Sequence, residues 1–259
     1  MIFPIESKSN DKIKAAQKLV SSASFRLEMR EFFLEGVRLC SDAAESGVRI
    51  KRCFFTENAR EKNSERVSEV IECAENAYLI SDEIAQKLSD TKSPQGVFAV
   101  CAMPSEEGFT PKEGKRYVAL ENIQDPSNLG AIVRTAEALG LDGAVLCSCC
   151  DPYNPKAQRA AMGSLLRLPL LITKDMGEVI EECEKKGINV LATVPDSRAE
   201  KITDTDMSHG VMAVIGNEGN GVTQATKAKC RLVTIPMLGR AESLNASMAA
   251  AIVMWEMMR

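Results

Sequence analysis

The chain has 259 residues, enough for two domains at roughly 100–200 residues each, and its 45% hydrophobic and 26% charged residues are the balance of an ordinary globular protein. No apolar run reaches the ~18–20 residues of a membrane span, and Met-Ile-Phe-Pro-Ile-Glu turns polar too early for a signal peptide, so a cytoplasmic protein without a membrane partner is expected. Thirty-two Lys and Arg against 36 Asp and Glu leave a net charge of −4, which excludes a chain-wide basic field but permits local basic patches.

Two halves meet at residues 103–116, a linker-like stretch rich in Pro, Gly and charge. In the first half, residues 10–22 read as a basic helix, Glu31–Leu34 as a short strand, Gly36–Ser46 as a helix and Ile50–Thr56 as a strand. Glu61–Ala74 has helical spacing, and Gly96–Ala102 reads as a buried strand. The second half alternates more cleanly. Tyr117–Leu120 is a strand, Leu129–Leu139 a helix and Gly143–Cys147 a strand. Asn154-Pro155 is an N-cap with Pro at the first helical position, opening a short helix that Gly163 ends. Met176–Lys186 is a helix, Asn189–Thr193 and Val211–Ile215 are strands, Val222–Lys229 a short helix and Arg231–Ile235 a strand. A last helix follows Asn245, with Leu244, Met248, Ala251, Ile252 and Trp255 spaced to bury one face in the core or a dimer. This alternation predicts an α/β fold with a parallel sheet and ligand-binding loops at the carboxyl ends of its strands.

Nine cysteines with no secretory signal suggest free thiols in a reducing compartment. Cys147 and Cys150 form a C-x-x-C around Cys149, but no second pair stands at zinc-site spacing and His209 is the sole histidine, so no metal is expected. Residues 8–30 carry Lys8, Lys12, Lys14, Lys18, Arg26 and Arg30 against Asp11 and Glu28. Residues 152–174 carry Lys156, Arg159, Arg167 and Lys174 and no acid. A solvated face accounts for either run alone.

Three loops after expected strands hold the unusual residues. The first, from Glu121 to Gly140, contains Asn128, for which helix capping alone is a sufficient reason, and Arg134 inside the helix. The second, Ile215-Gly-Asn-Glu-Gly-Asn-Gly-Val222, is glycine-rich enough for close backbone approach and carries Glu218 at its apex. Its G-x-x-G-x-G spacing is not the dinucleotide fingerprint, and no P-loop is present, which argues against other cofactor-dependent α/β enzymes. The third, from Ile235 to Ser247, crowds Ser243 and Asn245 at the start of the last helix.

Taken together, D-P-S-N-L-G-A-I-V-R-T-A, I-G-N-E-G-N-G and I-P-M-L-G-R-A-E-S-L-N-A-S resemble the three motifs of the SpoU (TrmH-type) RNA ribose methyltransferases of the SPOUT superfamily. Asn154-Pro-Lys-Ala-Gln-Arg-Ala-Ala-Met-Gly163 is similar to a further family segment, and Ser127 stands where many members have Gly. The resemblance covers residues 117–259. More loosely, residues 1–102, with Phe32-Phe-Leu-Glu-Gly-Val-Arg38, are similar to the small α/β substrate-binding module of the ribosomal-RNA members, a fold shared with RNA-binding ribosomal proteins.

The resemblance implies transfer of a methyl group from S-adenosylmethionine to a ribose 2′-hydroxyl of RNA. Ribosomal RNA is favoured by the N-terminal module; transfer RNA, or a non-catalytic ribosome-assembly role, are the alternatives. It implies a trefoil knot whose loops hold the cofactor, with Thr193, Gly216, Asn217, Gly219, Ile235, Met237 and Leu244 around it, and a homodimer. Arg134 becomes the catalytic centre, as general base or phosphate contact. A guanidinium is effectively always protonated, so phosphate binding with proton relay is the preferred role. Asn128 would orient Arg134 or the ribose, Glu218 would fix Arg134 or the incoming nucleotide, and Ser243 and Asn245 would hold the target nucleotide. Lys12, Lys18, Arg26, Lys156 and Arg159 become candidate RNA contacts.

Overall fold

Alternating side chains sort the strands of the first half into two cores. The computed structural model of the chain describes residues 1–104 and 108–259, so residues 105–107 of the expected linker lie outside the described residues. The chain forms two compact units, Met1–Pro104 with Tyr153–Leu166, and the remainder from Ser105 to Pro152 and Arg167 to Arg259.

The first unit contains β1 (Ile2–Ile5), α1 (Asp11–Ser21), α2 (Ala23–Met29), β2 (Glu31–Glu35), α3 (Val37–Glu45), β3 (Ile50–Phe55), α4 (Glu57–Lys62), α5 (Ser64–Cys73), β4 (Ala74–Ile80), α6 (Asp82–Leu88) and β5 (Val97–Ala102). Its sheet has the order β1-β4-β3-β5-β2, with β5 antiparallel to both neighbours and the other pairs parallel. Phe32, Leu34, Cys53 and Phe55 face a core with Val37 and Cys40 of α3 and Val67 and Val70 of α5. Phe33, Phe54 and Phe98 face the opposite core with Ile13 and Leu19 of α1 and Ile84 and Leu88 of α6. This period-2 partition is what a strand buried on both sides requires. Glu61–Ala74 proves to be parts of two helices broken at Asn63, and Ala74 already begins β4.

The second unit contains β6 (Arg116–Glu121), α7 (Pro126–Ala138) and β7 (Gly143–Cys147). The chain then makes α8 (Pro155–Ala161) and α9 (Ser164–Arg167) before β8 (Leu170–Thr173), α10 (Met176–Lys185), β9 (Asn189–Thr193) and β10 (Glu200–Lys201). It ends with β11 (Val211–Ile215), α11 (Gln224–Lys229), β12 (Arg231–Thr234) and α12 (Ala246–Met258). All pairs in the β10-β12-β9-β11-β6-β7-β8 sheet are parallel. The loops after β6, β9, β11 and β12 therefore leave the same edge of the sheet. β6 and β11 are adjacent although far apart in sequence, a topological switch point where such sheets bind ligands.

One expectation needs correction and one of two alternatives falls away. α7 begins three residues early: Asp125 is its N-cap, accepting from Ser127 N at 2.9 Å, and Pro126 fills the first turn. Asn128 is thus inside the helix and free of capping duty. The Asp-Pro pair carries the same start signal that marks Asn154-Pro155, where the cap is as expected. The apolar stripe of α12 is also not in the core of the chain. Leu244, Met248, Ile252 and Trp255 are 38%, 61%, 41% and 64% exposed, while Ala250, Val253, Met254 and Met257 are buried. α12 is hydrophobic almost all round, so periodicity alone could not pick its inner face.

Gly216 opens the loop after β11, and a Cβ there would overlap the Gly221 carbonyl carbon and the Val222 nitrogen. The loop closes on itself through paired Asn217 and Gly221 backbone bonds of 3.2 and 2.9 Å.

Replacing Asp125 with Ala should lower the stability of the second unit by about 1 kcal/mol, read as a shift in urea midpoint with an unchanged m-value. Gly216→Ala should force the loop open; hydrogen exchange at the Asn217 and Gly221 amides should accelerate at least about tenfold while exchange in β6 stays slow.

Candidate functional site

A cavity of about 360 Å³ sits at the carboxyl edge of β9, β11 and β12 in the second unit. Its wall is built from Thr193 at the end of β9, the loop from Gly216 to Gly221, and Ile235, Met237, Ser243 and Leu244 after β12. All seven positions expected around a cofactor line this one cavity, together with Glu218 and Ser243. Thr193 Oγ1 is buried there with no hydrogen-bond partner, a polar atom that a bound ligand could satisfy. The wall mixes loop glycines and the apolar Val194, Ile235, Met237 and Leu244 with the polar Glu218, Lys227 and Glu242. That suits a nucleoside-sized ligand whose ring nitrogens pair with amides and carbonyls.

At the mouth, one short side-chain chain joins the three loops. Asn128 is 9% exposed in the first turn of α7. Its Nδ2 donates to Glu218 Oε1 at 2.9 Å, and its Oδ1 accepts from Asn245 Nδ2 at 3.2 Å. Asn245 in turn N-caps α12, its Oδ1 accepting from Ser247 N at 2.9 Å. Burial works to raise the Glu218 pKa, but the Asn128 hydrogen bond and backbone donors at Glu218, Asp125 and Gln124 outweigh it. The carboxyl is held below the ordinary glutamate value. Glu218 is therefore a carboxylate at neutral pH and a weak base.

Asn217 spends its side chain on the loop itself. Oδ1 accepts from Gly219 N at 2.9 Å and Asn220 N at 3.0 Å, and Nδ2 donates to Asn122 O at 2.8 Å just after β6. Glu121, which the sequence reading passed over, fixes the other end of the loop. Its buried carboxylate accepts from Thr223 N at 2.8 Å, Thr223 Oγ1 at 3.0 Å and Thr226 Oγ1 at 2.5 Å. An acid closing the apolar strand Tyr-Val-Ala-Leu was the one available signal.

Arg134 stands apart from this chain. It is exposed on α7, outside the cavity lining, and makes no hydrogen bond or ion pair among the described residues. Asn128 and Glu218 bond to each other and not to Arg134, which leaves the ribose and the incoming nucleotide as the other partners expected for them. The Arg134 guanidinium is left open to a substrate anion.

The basic candidates of the first unit divide. Lys12 and Lys18 are exposed, with Nζ 5.6 Å from the Tyr78 ring centre and 4.2 Å from that of Phe25. Lys156 is exposed, and Arg159 Nη2 pairs with Asp90 Oδ2 at 2.9 Å. Arg26 is corrected: it is 2% exposed, and its Nη1 donates to Leu19 O at 2.5 Å and Val20 O at 3.1 Å, capping the end of α1. Lying one turn beyond α1, it was drawn inward by carbonyls that a sequence pattern does not display.

All nine cysteines are free. Burial pushes Cys149 up to about 12 and Cys150 up to about 11, which disfavours their thiolates at neutral pH. Among the described residues no cluster of His, Cys, Asp or Glu could hold a metal ion, and no helix is long and apolar enough to cross a membrane.

Comparison with known proteins agrees with this geometry. Residues 115–255 match the SpoU rRNA Methylase family, and residues 10–99 match the MRM3-like substrate binding domain. The chain is 31% identical over 255 residues to the 23S rRNA (guanosine(2553)-2'-O)-methyltransferase RlmP of Bacillus subtilis, covering 98% of each chain. It is 28% identical to the 23S rRNA (uridine(2479)-2'-O)-methyltransferase of Streptomyces viridochromogenes, covering 96% of this chain and 90% of the relative. Among solved structures, an AdoMet-bound rRNA methyltransferase from Sinorhizobium meliloti superposes with a TM-score of 0.88 at 27% identity, covering 99% of this chain and 97% of that one. With the family match spanning more than half the chain and the relatives aligned end to end, the chain belongs to the SpoU rRNA methylase family.

Proposed function

We propose that the protein transfers a methyl group from S-adenosylmethionine to a ribose 2′-hydroxyl of ribosomal RNA. The observation that carries this is the convergence of three sequence-distant loops on one cavity, tied at its mouth by Asn128. The relatives from Bacillus subtilis and Streptomyces viridochromogenes are named as 23S rRNA 2'-O-methyltransferases, and the Sinorhizobium meliloti structure is AdoMet-bound, which supports both the reaction and the cofactor.

Thr193, Gly216, Ile235 and Leu244 would hold the cofactor, with the unspent Thr193 Oγ1 and the loop backbone facing its polar edges. S-adenosylmethionine supplies a methyl already activated on a sulfonium. What is left to the chain is to hold the ribose oxygen in line and ease loss of its proton. Orientation of this kind can contribute about 7–11 kcal/mol. Arg134 would bind the phosphate beside the target ribose, favour the developing alkoxide and relay the hydroxyl proton to solvent water as the methyl is taken up. Asn128 and Asn245 set the wall against which the ribose lies, and Ser243 lines the cavity beside them. Glu218, kept ionised, anchors Asn128 better than it would take a proton.

Residues 1–102 would select the RNA, residues 117–259 would catalyse, and residues 103–116 would link them. Lys12, Lys18, Lys156 and Arg159 would contact phosphates. Two further features of the family are proposed with it. The return of the chain to the same cavity after β12 supports a trefoil knot. The exposed stripe of Met248, Ile252 and Trp255 on α12 supports a homodimer, since such a stripe is otherwise left in water.

Arg134→Ala should lower methyl transfer to unmodified ribosomal RNA by at least about 100-fold while leaving the Kd for S-adenosylmethionine within about twofold. Transfer within a factor of a few of the parent would remove Arg134 from the chemistry. Light scattering should give twice the 28.2 kDa chain mass, and Trp255→Glu should shift it toward the monomer; a monomeric parent would refute the dimer.

A further inference from the structure

The first unit carries a second cavity, of about 440 Å³, far in sequence from the loops described above. α3 contributes Arg38, Leu39 and Asp42 to its wall, the loop before β5 contributes Gln95, and α8 contributes Arg159 and Met162. Two features make it a built recess. Gln95 Oε1 accepts from Val37 N at 2.9 Å and so holds the β5 approach loop against the start of α3. Met162 caps α8 in the left-handed conformation, φ 50°, which turns its thioether to the surface at 40% exposure.

The chemistry of the wall is mixed in a particular way. Leu39 and Met162 offer apolar surface, and the Glu35 carboxylate is engaged by the Ser89 and Thr91 hydroxyls and the Asp90 amide. Arg159 Nη2 pairs with Asp90 Oδ2 at 2.9 Å, and both side chains stay open to water. Arg38 is exposed at the cavity and makes no hydrogen bond or ion pair among the described residues. A bare anion would find little use for the apolar wall, and a purely apolar ligand would leave the Arg38 guanidinium idle. A nucleotide uses both, with ring faces on the apolar wall and phosphate on the cation.

We propose that this cavity takes one unstacked nucleotide of the RNA substrate, its base against Met162 and Leu39 and its phosphate on Arg38. The proposal rests on the RNA-methylating function given above, and it assigns the first unit a definite reading pocket on a chain segment that matches a substrate-binding domain at residues 10–99. α8 closes one wall, so the N-P-K-A-Q-R-A-A-M-G segment serves RNA selection through Met162.

The test measures binding of full-length protein to unmodified 23S ribosomal RNA transcript over a range of salt. Met162→Ala should weaken binding about tenfold with no change in the slope of log K against log salt. Arg38→Ala should weaken it and reduce that slope by about one. Leu39→Trp, which fills the recess, should match Met162→Ala. The Kd for S-adenosylmethionine should be unchanged in all three, and an unchanged circular-dichroism spectrum and urea midpoint would report that the first unit is folded. If Met162→Ala and Leu39→Trp both bind the transcript within twofold of the parent, the pocket has no such occupant. Methyl transfer by the parent on the same transcript reads the underlying function separately. Transfer with unaltered variant affinities overturns the pocket alone, whereas cofactor binding with no transfer to any RNA overturns the function and the pocket with it.

Discussion

The side-chain amide of Asn128 is the contact on which the site depends. One end donates to the Glu218 carboxylate and the other accepts from Asn245, so residues from the loops after β6, β11 and β12 are held in one chain. A hydrogen bond to an ionised acceptor is stronger than a neutral one, and the depressed pKa of Glu218 keeps that acceptor ionised across the neutral range. The arrangement is possible because every strand of the second sheet runs the same way. With β6 beside β11, loops almost a hundred residues apart in sequence emerge side by side.

The loop after β11 forms one wall of the adjoining cavity, and the sequence supplies what lets its backbone close up. Gly216 leaves room for the Gly221–Val222 peptide to lie against it, Asn217 replaces missing backbone partners with its own amide, and Glu121 receives the amide at the far end. None of these three needs to touch a ligand to shape its site. Arg134 is the opposite case. It supports nothing in the chain and stands exposed, as a group kept for a substrate phosphate would.

Much of this was legible in advance, for reasons that differ by element. Strands of unbroken apolar residues, such as Val211–Ile215, and helices with a cap and Pro, such as Pro155–Ala161, announced themselves. β1 carries Pro4, β4 begins with Ala-Glu-Asn, and β8 is four residues long, so each lacked a strand signal of its own and exists because a neighbour offers a ladder. At the site, the polar loop residues were visible as a set, but their pairing was not. Asn128 reads as a cap because it directly precedes the apolar run, whereas the Asp125-Pro126 pair is the true start of the helix. Arg26 read as a surface cation until α1 placed two carbonyls within its reach. The inner face of α12 was hidden by the helix being apolar on all sides, which leaves Trp255 and Met248 outward where only a partner could cover them.

The most direct measurement incubates the protein with labelled S-adenosylmethionine and unmodified ribosomal RNA and then identifies the labelled nucleoside after complete digestion. The account predicts a single 2′-O-methylnucleoside, its label resisting alkaline cleavage at the adjacent phosphodiester. Label on a base, or none on any RNA while the cofactor binds, would contradict it.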